Sequence, residues 1–167
     1  RKNILRALLI LCTFIAADKA TAASTDTLSY ITGQQIGHTI HEEIVPQMKL
    51  DYNAIISTLD KLFASDKSIK AEGITISPEN INEVAKGYFN ESLQQRVIAA
   101  MGNDTAQVFN AKEKKIVSVL VGADFAYSMK KAPYEVEKKS FMKAVKDVKE
   151  GKEMLTLEQA NSFMRNY

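Results

Sequence analysis

Ser29-Tyr30-Ile31-Thr32-Gly33-Gln34-Gln35-Ile36-Gly37-His38-Thr39-Ile40 and Ser118-Val119-Leu120-Val121-Gly122-Ala123-Asp124-Phe125-Ala126-Tyr127-Ser128-Met129 carry one pattern twice. The copies lie about 89 residues apart, longer than the roughly 20–50 residues of stacked solenoid repeats. Two copies of one larger module is the simpler reading. Within the pattern, Gly33 and Gly37 recur as Gly122 and Ala126. A glycine in a helix interior costs about 1 kcal/mol against alanine, so small residues four apart need a compensating gain. Close approach of a second helix supplies it, on a face flanked by Ile36, Ile40, Phe125 and Met129. The spacing is equally compatible with packing inside each module and with an interface between chains.

Helical periodicity extends outward from both copies. A first helix is expected from Asp26 to Ile44, with Leu28, Ile31, Ile36, Ile40 and Ile44 on its apolar face and Pro46 stopping it. Asp51 is expected to cap a second helix bearing Ile55, Leu59 and Leu62. Asp66 to Gly73 reads as a polar loop. Ser77-Pro78-Glu79 opens a third helix that continues through Ile81, Val84, Tyr88, Leu93, Val97 and Ile98 to Gly102-Asn103. The order then repeats. Asp104 or Thr105 is expected to cap a helix running to Lys131, with Val108, Ile116, Val119, Leu120, Phe125 and Met129 along it and Pro133 breaking it. Phe141, Val145 and Val148 match Ile55, Leu59 and Leu62, and Gly151 closes their helix. Thr156-Leu157-Glu158-Gln159 has the capping-box form and matches Ser77-Pro78-Glu79-Asn80. Tyr88 and Tyr167 stand late in the two third helices.

Composition agrees with an all-α chain. Of 167 residues only 7 are Gly and 3 Pro, too few for the many turns of an all-β fold. Residues 1–22 read as a signal peptide: Arg1, Lys2 and Arg6 precede an apolar run from Ala7 to Ala17, and Ala20-Thr21-Ala22 offers cleavage after Ala22. The run is shorter than the roughly 20 residues of a membrane-spanning helix. Lipidation at Cys12 is the alternative, but Leu11 stands where a small residue is expected. Losing this segment removes Arg1, Lys2, Arg6, Lys19 and Asp18 and takes the net charge from +2 to about −1, which excludes a nucleic-acid signature. It also removes Cys12, leaving no thiol. The expected location is the periplasm or the exterior, with no membrane contact after cleavage.

Side chains suited to chemistry are sparse. His38 and His41 share a helix face next to Glu42 and Glu43, but their order fits neither of the zinc-protease motifs, and Tyr127 and Lys130 replace them in the second copy. No metal site, cofactor site or catalytic residue is expected. Lys138 to Glu153 alternates in sign, as a solvated face does. Asn90-Glu91-Ser92 and Asn103-Asp104-Thr105 match the glycosylation sequon.

Leu28 to Gly37, Leu50-Asp51-Tyr52-Asn53-Ala54-Ile55 and Ser77-Pro78-Glu79 together resemble the helical N-terminal domain of exported FKBP-type peptidyl-prolyl isomerases, the Mip/FkpA-like kind. The resemblance covers a fuller copy from 28 to 90 and a shorter one from 116 to 167. It implies two tandem three-helix modules, 23–103 and 104–167, which two copies in one chain allow to intertwine as an intramolecular pseudo-dimer. It also implies that Ile31, Gly33, Ile36, Gly37 and Ile40, with Leu120, Gly122, Phe125, Ala126 and Met129, form the association faces. The implied function is an exported chaperone or assembly module that takes part in protein folding through an apolar helical surface. Its implied partners are proteins: a second copy, unfolded clients or a full-length isomerase. The alternative is a dimerisation subunit working with a peptidyl-prolyl isomerase. The chain has no Trp for the usual aromatic floor of the catalytic domain and the second copy runs to Tyr167, so the expectation is a non-enzyme.

Overall fold

The computed structural model describes residues 22–166. The expected leader, residues 1–22, lies outside them except for Ala22, as does Tyr167. The described chain is mostly helical, the class that the low glycine and proline counts favour. Its helices are α1 (Ala22–His38), α2 (Val45–Met48), α3 (Tyr52–Leu62), α4 (Ile81–Tyr88), α5 (Glu91–Ala100), α6 (Ala111–Lys130), α7 (Lys138–Glu150) and α8 (Leu157–Asn166), with a π-helical segment at Thr39–Ile44. Strands β1 (Ile69–Ala71) and β2 (Ile74–Ile76) form an antiparallel hairpin that pairs Ile69 with Ile76 and Ala71 with Ile74.

Two compact units emerge: Ile44–Lys131, and residues 22–43 with 132–166. In the first, α3 lies along α6, with Ile55, Leu59 and Leu62 buried against a helix that itself buries Ile116, Val117, Leu120, Phe125 and Met129. In the second, α1 lies along α7, which buries Phe141, Ala144, Val145 and Val148. Each unit thus joins a helix from one half of the sequence to a helix from the other.

Local chemistry explains where the elements start and stop, and it corrects several expectations. Pro46 does not stop the first helical run; it sits at the start of α2, where its missing N–H does no harm. The wider π turn at Thr39–Ile44 precedes it, and the run ends at Lys49, in the left-handed region with φ 52°. Asp51 caps α3 as expected, accepting from Ala54 N at 3.2 Å. The stretch expected as a loop at 66–73 holds β1, and Glu72 and Gly73, with φ of 49° and 81°, make the tight turn into β2. The single third helix expected from Ser77 to Ile98 is two helices, because Asn90 leaves helical geometry and caps α5 through Leu93 N. α6 begins at neither Asp104 nor Thr105. Asn110 and Glu113 close a reciprocal box at 2.8 and 3.1 Å, so Val108 is buried before the helix rather than on it. Thr156 and Gln159 form the reciprocal pair expected of them; Ser77 and Asn80 form one too, but it closes a turn rather than capping the helix, and α4 starts at Ile81 with Asn80 as its cap residue.

Both helix pairs depend on an absent side chain. A Cβ on Gly33 would collide with the Phe141 carbonyl oxygen and lie 2.8 Å from the Ala144 Cβ. At Gly122 it would lie 2.5 Å from the Ile55 oxygen and 2.8 Å from the Thr58 Cβ. At Gly37 a Cβ would lie 3.2 Å from the Val145 Cα and the Val148 side chain, a tight contact but no collision. Gly33→Ala and Gly122→Ala are therefore expected to lower unfolding free energy by about 1–3 kcal/mol, even though alanine is the better helix former. Gly37→Ala should fall within about 1 kcal/mol of neutral, and Gly87→Ala, whose Cβ meets nothing within 4 Å, should stabilise by up to about 1 kcal/mol. Urea midpoints at constant m-value give the ranking.

Candidate functional site

All ten residues expected on association faces are buried: Ile31, Gly33, Ile36, Gly37 and Ile40 on α1 and its π extension, and Leu120, Gly122, Phe125, Ala126 and Met129 on α6. Gly33 and Gly37 face α7, and Gly122 faces α3. These faces are spent on helix packing within the single chain.

One serine completes each contact. Ser29, fully buried, accepts the backbone N–H of Glu137 at 2.8 Å. Ser118, also fully buried, accepts that of Asp51 at 3.0 Å. Glu137 and Asp51 are the N-caps of α7 and α3, so each serine satisfies a donor that would otherwise be left unpaired beside a helix start. The Glu137 carboxylate accepts from Ser140 N at 2.7 Å and Lys139 N at 3.0 Å, and the Ser140 hydrogen bond above all holds it below its ordinary value. Both serines open the duplicated sequence pattern, yet nothing in their own neighbourhood announces the remote donor.

The unit built on α1 also holds an open cleft of about 370 Å³ lined by Asp26, Thr27, Tyr30, Ser140, Lys143, Met154 and Leu155. Two of its lining residues, Tyr30 and Lys143, meet on the buried Asp147, a polar network that the alternating charges of Lys138–Glu153 concealed. The Tyr30 hydroxyl donates to Asp147 Oδ2 at 2.8 Å and accepts from Met154 N at 2.8 Å. Lys143 Nζ donates to the same Asp147 oxygen at 2.6 Å and stands 6.0 Å from the centroid of the Tyr30 ring. Burial, reinforced by Asp147, pushes the Tyr30 hydroxyl up to about 12 despite the Met154 hydrogen bond. Burial also works against the Asp147 carboxylate, but the hydrogen bonds from Lys143 and Tyr30 outweigh it and hold Asp147 below its ordinary value. Asp147 therefore contributes stability above its unfolded value of about 3.9, lost as pH falls through the folded one.

His38 uses both ring nitrogens on carboxylates, Nδ1 with Glu42 at 2.9 Å and Nε2 with Glu153 at 2.6 Å. Gln34 Nε2 donates to the Leu155 carbonyl at 2.7 Å. Among the described residues no group of three His, Cys, Asp or Glu side chains is placed to hold a metal ion, and no helix is long and apolar enough to cross a membrane. Large apolar side chains that reach solvent are Ile98 and Met101 in one unit and Met154 and Leu157 in the other. Comparison of the chain with protein-family models, curated proteins and solved structures gave no match.

Tyr30→Phe removes the hydroxyl from between Asp147 and Met154 N and is expected to cost about 1–3 kcal/mol. In a spectrophotometric titration of the six tyrosines, the step nearest pH 12 should disappear in this variant.

Proposed function

We propose that this chain is an internal pseudo-dimer of one helical module and works as an exported folding or assembly factor, binding protein partners through apolar side chains without catalysing a reaction. One observation carries the reading. The first helix of each sequence copy packs on the second helix of the other, and the same three contacts are built twice. Ser29 on the cap of α7 corresponds to Ser118 on the cap of α3. Gly33 under Phe141 and Ala144 corresponds to Gly122 under Ile55 and Thr58. In the third position, Phe141, Val145 and Val148 answer Ile55, Leu59 and Leu62.

Two chains of the resembled domain associate by intertwining their first two helices, and in this reading one chain supplies both partners. Because the expected association faces are already buried, the proposed partner-binding groups are Ile98, Met101, Met154 and Leu157, exposed by 52, 70, 66 and 78 %. Single exposed apolar residues are common on proteins, but two per unit, near helix ends, give each unit an apolar contact point.

Sedimentation of the chain lacking residues 1–22 should give a monomer whose mass does not change with concentration; an obligate dimer overturns the pseudo-dimer. The monomer should suppress aggregation of an unfolding client while leaving a proline-limited refolding rate, normally tens of seconds or slower, at its background value. Ile98→Ser with Met101→Ser, or Leu157→Ser alone, should weaken the suppression severalfold with unfolding free energy within about 0.5 kcal/mol of the parent, the usual range for surface changes.

A further inference from the structure

We infer that His38 is a pH-dependent clasp: protonated, it fastens the segment Glu153–Leu155, and with it the start of α8, onto α1, and neutral, it lets that segment loosen. Three consecutive residues after α7 are held by α1 side chains. Glu153 Oε1 meets His38 Nε2 at 2.6 Å and also accepts from Gln34 Nε2 at 3.3 Å, Met154 N donates to the Tyr30 hydroxyl at 2.8 Å, and the Leu155 carbonyl accepts from Gln34 at 2.7 Å. Gln34 does not titrate, and the Tyr30 hydroxyl ionises only at about 12. His38 alone among the three changes charge near neutrality.

Its geometry makes that change consequential. Both ring nitrogens face carboxylate oxygens, Glu42 from the π-helical segment and Glu153 from the far side of the chain. An imidazolium has two N–H donors and satisfies both; a neutral ring has one, so one carboxylate must face a lone pair, and the charge attraction to both is lost. α7 meets the neighbouring Gly37 with Val145 and Val148, and Lys152, next to Glu153 in sequence, pairs with Glu150 at 3.3 Å. Burial disfavours the imidazolium, but the hydrogen bonds to Glu42 and Glu153 overcome this and hold His38 above its ordinary value. A group raised on folding gives its full stabilisation below its unfolded value of about 6.5 and loses it as pH rises through the folded one.

The consequence falls on the cleft and on α8. Met154 and Leu155 form part of the cleft lining, so that wall follows the clasp. The segment leads directly into α8, whose capping box closes between Thr156 and Gln159 and whose Leu157 is exposed.

Amide hydrogen exchange on the full chain tests this, with rates corrected for intrinsic pH dependence and the Glu113 amide of the α6 box as reference. Between about pH 5.5 and 8.5, protection at Met154 should fall about threefold or more, in step with the His38 ring resonances. His38→Gln should give a flat profile. Glu153→Gln, which keeps an acceptor oxygen, should flatten it too and lower the His38 titration midpoint. Constant Met154 protection while His38 titrates overturns the clasp, and so does a pH dependence that survives in both variants.

Discussion

Backbone contact at Gly33 and Gly122 is the constraint from which the rest of the structure follows. With no Cβ in the way, the Phe141 carbonyl reaches the surface of α1 and the Ile55 carbonyl reaches that of α6. At that separation a serine one turn earlier can take up the cap N–H of the facing helix, and Ile36, Ile40, Phe125 and Met129 can close over the seam. Wider spacing would leave the serines, both fully buried, with hydroxyls that find no partner, a cost of about 1–3 kcal/mol each. Glycine spends helix propensity at these two places and recovers it in packing density.

The same repeat position then performs parallel work in the two units with different chemistry. Tyr127 and His38 correspond in the duplicated pattern. The Tyr127 hydroxyl donates to the Lys67 carbonyl at 2.6 Å, fixing the segment that follows α3 and leads into the hairpin. His38 fixes Glu153, in the segment that follows α7. One anchor ends in a hydroxyl and a main-chain carbonyl and holds alike across the ordinary pH range; the other ends in an imidazole and a carboxylate and responds to protons. Divergence between the copies is concentrated in what comes after the second helix: a β-hairpin and two helices in one case, an irregular segment and one helix in the other.

Elements governed by neighbours in sequence were legible in advance. Asp51, Thr156 with Gln159, and Gly151 act within a few residues of themselves, so their residue types suffice to place helix ends. Where several local solutions compete, reading by type went astray. Asn110 with Glu113 displaced Asp104 and Thr105 because only that pair closes reciprocally. Asn90 split a helix whose apolar spacing continued through it, and Glu72-Gly73 turned a polar stretch into a hairpin once Ile76 was buried and Tyr127 bound Lys67. The Tyr30–Asp147–Lys143 network was hidden for a different reason. Tyr30 and Asp147 lie 117 residues apart, and a carboxylate among alternating lysines is indistinguishable by pattern from one in solvent.

By itself the sequence determined a helical chain, its duplicated pattern, most of its caps and the small-residue positions where helices meet, because periodicity, propensity and capping act over a turn or two of backbone. Which helix meets which was decided only by tertiary structure. Gly33 and Gly122 present the same smooth surface to any partner of complementary shape, and α3 and α7 offer nearly the same apolar spacing. The choice of α7 for α1, and of α3 for α6, rests on burial summed over whole helices and on remote hydrogen bonds such as Ser29 to Glu137 and Ser118 to Asp51. Those terms exist only once the chain has brought distant residues together.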